Sequence, residues 1–211
     1  NLAIENKDHE GLGKELKKLS NYPEKDKIAV QFFPLVFKNI NEQIEKGKLT
    51  PEQVQSLTSY FKFYLGPSLS KNEEGFEKVI ISFFENPYWE LEVFQTAFIC
   101  LKHSLNVIFY NAEKSGKGIG DLLKILEADS LVLSCGSQIG NLSPQANEVI
   151  QTSVNEVEGN NKIILTGNLN YSENKFFQYE NIIPLPTIKS LDVGLKKLNN
   201  LDDDVFYKKS G

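Results

Sequence analysis

Three helix-then-strand units between residues 89 and 168 decide how this chain is read. The first is W-E-L-E-V-F-Q-T-A-F-I-C-L-K-H (89–103), leading into L-N-V-I-F-Y-N (105–111). The second is D-L-L-K-I-L-E (121–127), leading into L-V-L-S-C-G (131–136). The third ends in K-I-I-L-T-G-N (162–168). Amphipathic runs alternating with short apolar runs predict a parallel sheet whose ligand edge lies at the strand C-termini. Asn111, Ser134, Cys135, Gly136, Thr166 and Gly167 fall at those ends and are the first candidates for function.

Working outward, strands are expected near 105–111, 130–135 and 161–166, with a weaker one within 177–184. Helices are expected near 88–103, 119–127, 144–157 and 188–199. Residues 1–86 read as helical. A short Lys-rich segment spans Gly11 to Leu19, and a longer one spans Lys25 to Lys46, stopping at Gly47. Thr50-Pro51-Glu52-Gln53 is a strong helix start, with Thr as cap, Pro at the first helical position and Gln53 closing a capping box. That helix is expected to end at Gly66-Pro67, and a fourth to run from Ser70 to before Asn86-Pro87. The expected architecture is α/β: a four-helix bundle (1–86) packed on a flavodoxin-like, Rossmann-like parallel-sheet domain (87–200), then a polar tail (201–211).

Composition narrows the function. The 211 residues are 40% hydrophobic and 24% charged, with a net charge of -5, ordinary for a globular protein in water. All 23 basic residues are Lys, so the fork that reads guanine and phosphate is missing. An acidic chain without Arg is a poor nucleic-acid binder by itself. Apolar runs are too short to span a bilayer, and no signal peptide opens the chain. Two cysteines, Cys100 and Cys135, give no disulfide framework and point to the cytoplasm. The chain contains no Met, which suggests a fragment of a longer protein.

Several residues could carry chemistry. Ser115-Gly116-Lys117-Gly118-Ile119-Gly120 opens a helix and could meet an anion, but it matches no phosphate-loop pattern and reads better as a flexible loop. Cys135 has no His or Asp partner at readable spacing and reads as packing. Tyr88, Trp89 and Phe94 could line a pocket, or simply pack. The acidic pair Glu73-Glu74 and the run Asp202 to Asp204 read as solvated. His9 and His103 do not make a zinc site. No carboxylate pair has the apolar enclosure of a general acid and base, so no enzyme activity is expected.

Helical bundle followed by parallel α/β domain resembles the cobalamin-binding module of MerR-type light- and B12-dependent repressors and of corrinoid methyltransferases. The resemblance covers about Lys25 to Leu198. In that family W-x9-E-H caps the upper face of cobalamin, and [D/E]-x-H-x-x-G supplies a His to cobalt from below. I-E-K-G-K-L-T-P-E-Q-V-Q (44–55) stands at the upper motif, with Ile44 for Trp and Val54-Gln55 for Glu-His. E-L-E-V-F-Q (90–95) stands at the lower motif, with Glu90 matching the acid, Glu92 replacing the His and Gln95 replacing the Gly. Ser134 matches the family's strand-end Ser, and Thr166-Gly167 keeps half of a Gly-Gly pair.

The resemblance therefore implies a set of cofactor-facing residues: Glu92, Gln95, Asn111, Ser134, Gly136, Thr166 and Gly167. A carboxylate is a hard donor where the family offers cobalt an imidazole, and a Gln side chain fills space that Gly leaves open. No bound cofactor is expected; cobalamin held without a protein ligand stays open, as does haem held by His103. The resemblance implies the C-terminal regulatory domain of a MerR-family regulator, controlling oligomerisation and hence DNA binding. Its DNA contact would come from an N-terminal helix-turn-helix outside this chain. The expected partners are further copies of the chain and a small-molecule or protein effector, with no membrane.

Overall fold

The computed structural model of the protein describes residues 8–21, 32–69, 77–83, 87–111, 117–134, 144–157, 161–167 and 178–197. The elements in chain order are α1 (His9–Ser20), α2 (Phe33–Glu45), α3 (Pro51–Leu69) and β1 (Lys78–Phe83), then α4 (Pro87–Lys102) and β2 (Asn106–Asn111). There follow α5 (Ile119–Leu126), β3 (Ser130–Ser134), α6 (Pro144–Glu156), β4 (Lys162–Thr166), β5 (Ile182–Pro184) and α7 (188–197).

The sheet is five-stranded and parallel, in the order β2-β1-β3-β4-β5. The strand order reverses between β1 and β3, and in open α/β sheets a ligand crevice lies outside the carboxyl ends at that point. Ile80, Leu131, Leu133, Ile163 and Leu165 are buried on the face covered by α5 and α6. Val79, Ile81, Val132 and Ile164 are buried on the face shared with α4 and α7. Burial on both faces explains why these strands are continuous apolar runs and not alternating ones. Each such side chain contributes about 1.5–3 kcal/mol by leaving water.

Two expectations about the N-terminal half need correction. Residues 78–83, expected as the end of a fourth helix, form β1, an inner strand paired with β2 and β3. The run K-V-I-I-S-F is short and β-branched, and a buried strand of this length carries no period that separates it from a helix turn. The sheet thus begins before the boundary expected at residue 86, and three helices precede it among the described residues. Secondly, α3 continues through Gly66-Pro67 to Leu69, although Pro67 has no N–H to give the helix. The first part of the long helix expected from Lys25, residues 25–31, lies outside the described residues, as do 70–76.

The helix start at residue 50 is as expected. The Thr50 N–H donates to Gln53 Oε1 at 3.0 Å, and the Gln53 N–H donates to Thr50 Oγ1 at 3.4 Å. The other helices and strands of the second half fall within a few residues of their expected bounds.

α4 is the keystone of the packing. Val93 through Cys100 are all buried, because α4 rests on β1, β2 and β3 while α2 and α3 pack against it from outside. α1 in turn packs on α3. A helix apolar all round is what a middle layer requires.

Candidate functional site

The register places Asn111, Phe83, Ser134 and Thr166 in one row across the C-terminal edge of the sheet. Of the expected site positions, Ser134 and Thr166 are therefore neighbours along that edge, and Asn111 stands in the same row beyond Phe83. Ser134 and Thr166 are buried, two residues beyond Val132 and Ile164, and so lie on the face that meets α4 and α7. Gly167 follows at φ 116°, a backbone conformation that a side chain would strain. Gly136 and Cys135 lie outside the described residues.

Glu92 and Gln95 do not join this row. Both sit inside α4, which begins at Pro87, so neither belongs to the loop that opens the α/β domain. That loop follows Phe83, because β1 precedes it. Missing β1 in the sequence shifts the lower motif one step too far along the chain. Gln95 is buried within the middle helix layer, and Glu92 is half-buried on it.

The upper positions tell a similar story. Val54 is 0% exposed and forms part of the core with Leu57 and Phe61, and Ile44 packs against the same cluster. These residues hold the helical layer together by hydrocarbon contact.

His103 is committed elsewhere. It follows the last residue of α4, at the N-terminal edge of the strands, opposite the crevice. Its Nε2 lies 2.8 Å from Asp192 Oδ1 on α7. Lys102 Nζ donates to both oxygens of Asp192, at 2.7 and 2.9 Å. Burial pushes the Asp192 carboxyl up, but the hydrogen bonds and charges of Lys102 and His103 outweigh it and hold the acid below its usual range. Asp192 is the partner that sequence reading missed, since nothing in a local pattern marks a contact 89 residues away.

The remaining candidates resolve as packing. Phe94 is buried and lies 5.7 Å from the Phe109 ring centroid. Burial pushes the Cys100 thiol up to about 12, so it stays protonated and inert. At the start of α5 the Gly120 N–H is met by Glu156 Oε2 at 3.4 Å, so a carboxylate already sits where an anion would go. A Cβ at Gly120 would collide with the Glu156 carbonyl, which fixes Gly at this helix crossing. Trp89 and Tyr88 side chains, Glu73-Glu74 and Asp202 to Asp204 lie outside the described residues.

Two further hydroxyls emerge only from the structure. Ser82, next to last in β1, and Thr96, in the middle of α4, each bury an Oγ without a hydrogen-bond partner. An orphaned buried hydroxyl costs about 1–3 kcal/mol.

Neither histidine is placed in the row at the crevice, and among the described residues no three His, Cys, Asp or Glu side chains gather as a metal site. The described residues of the row thus present no imidazole to a bound group. They do offer small hydroxyls along the strand ends. No described helix is long and apolar enough to cross a membrane.

No family model matches the chain, and no curated protein matches its sequence. Solved structures do match in shape. A monomethylamine corrinoid protein of Methanosarcina barkeri aligns at TM-score 0.56 and 12% identity, over 92% of this chain and 94% of its own. A cobalamin-binding protein of Desulfitobacterium hafniense DCB-2 aligns at TM-score 0.47 and 12% identity, over 94% of this chain and 95% of its own. The methanol:cobalamin methyltransferase complex of Methanosarcina barkeri aligns at TM-score 0.43 and 9% identity, over 95% of this chain and 76% of that one. The first of these likenesses establishes the fold: a cobalamin-binding, Rossmann-like α/β fold.

Proposed function

We propose that the chain is a non-catalytic effector-binding module, the regulatory part of a MerR-type transcription regulator, acting in the cytoplasm as a homo-oligomer. DNA would be contacted by a helix-turn-helix segment outside this sequence. The effector is a small molecule held in the crevice at the β1/β3 switch point, without a metal bond from the protein.

One observation carries this reading. The crevice edge bears Ser134 and Thr166, while His103 is tied to Asp192 at the far edge. Hydroxyls orient a polar ligand by hydrogen bonds and supply no electron pair soft enough to hold cobalt. The fold also supplies a transmission path. α4 touches the strands on one side and the helical layer on the other. An effector that binds one placement of α4 better than another shifts the population between them, and a coupling of about 1–3 kcal/mol is enough for regulation.

A second reading is a corrinoid carrier, favoured by the shape shared with the monomethylamine corrinoid protein. One experiment separates the two. The protein is incubated with hydroxocobalamin, adenosylcobalamin or haemin, desalted, and its absorbance spectrum recorded. A colourless protein is the expected result. Cobalamin retained in stoichiometric amount would overturn the cofactor-free reading and establish the carrier.

A further inference from the structure

We draw no further inference here: the strongest candidate, the unpartnered hydroxyl of Ser82 near the C-terminal end of β1, on the sheet face that α5 and α6 cover, carries nothing, because nothing in the structure shows what covers it and a buried hydroxyl by itself names no ligand.

Discussion

The two ends of the sheet are built on opposite plans. At the N-terminal edge polar groups are paired. The Lys78 N–H donates to Asp129 Oδ2 at 2.9 Å, and Asn161 Nδ2 donates to the Ala128 carbonyl at 2.8 Å. Lys102 and His103 converge on Asp192. Toward the C-terminal edge, small hydroxyls take over, and that of Ser82 has no partner. The difference separates the stitching of the fold from the edge where the proposed effector would sit. A network satisfied on all sides adds stability; an orphaned hydroxyl subtracts from it.

The comparison can be broken most forcefully in the middle, where both ends depend on one strand. Ile80→Ala on β1 empties a fully buried position. It should cost about 3–4 kcal/mol in urea unfolding, with no relief from altering either edge.

Asp192→Ala removes the shared acceptor of Lys102 and His103, both half-buried. A loss of about 1–3 kcal/mol is expected. The pH dependence follows from the lowered acid. A depressed carboxyl stabilises the fold above its unfolded value, and that contribution disappears as pH falls through the folded value. Asp192→Asn should therefore flatten the acid side of a stability–pH curve. An acid limb that stays as steep would show that the clasp contributes little.

Asp129→Ala strips the acceptor from the Lys78 N–H at the same edge, and about 1 kcal/mol should be lost. The smallest effect belongs to the other edge. Ser82→Ala should leave stability unchanged or raise it by up to about 1 kcal/mol, since the hydroxyl has nothing to give up. Destabilisation by more than that would mean the hydroxyl is part of the stitching after all, and the contrast between the edges would dissolve.

The sheet from β2 onward was legible because its helices and strands differ in period and length. Asn111, Ser134 and Thr166 were legible for the same reason: a strand end can be found without knowing its neighbours. β1 was not, since four buried residues in a strand and one turn of a buried helix look alike in sequence. That one loss displaced the lower motif onto Glu92 and Gln95, inside α4. Phe94 was rightly weighed as packing, but the pairing of His103 with Asp192 was beyond reach, because helix ends brought together by a sheet leave no trace in either local pattern. Val54 shows the converse, for its place opposite a family motif hid an ordinary core residue.

The position of β1 also governs how the chain emerges from a ribosome. This inner strand is translated before either of its neighbours, so Val79-Ile80-Ile81 leaves the exit tunnel with no partner. It stays exposed until residues as late as Ser134 have been made. A buried apolar strand thus waits for its partners, and its early protection falls to the helices already synthesised ahead of it.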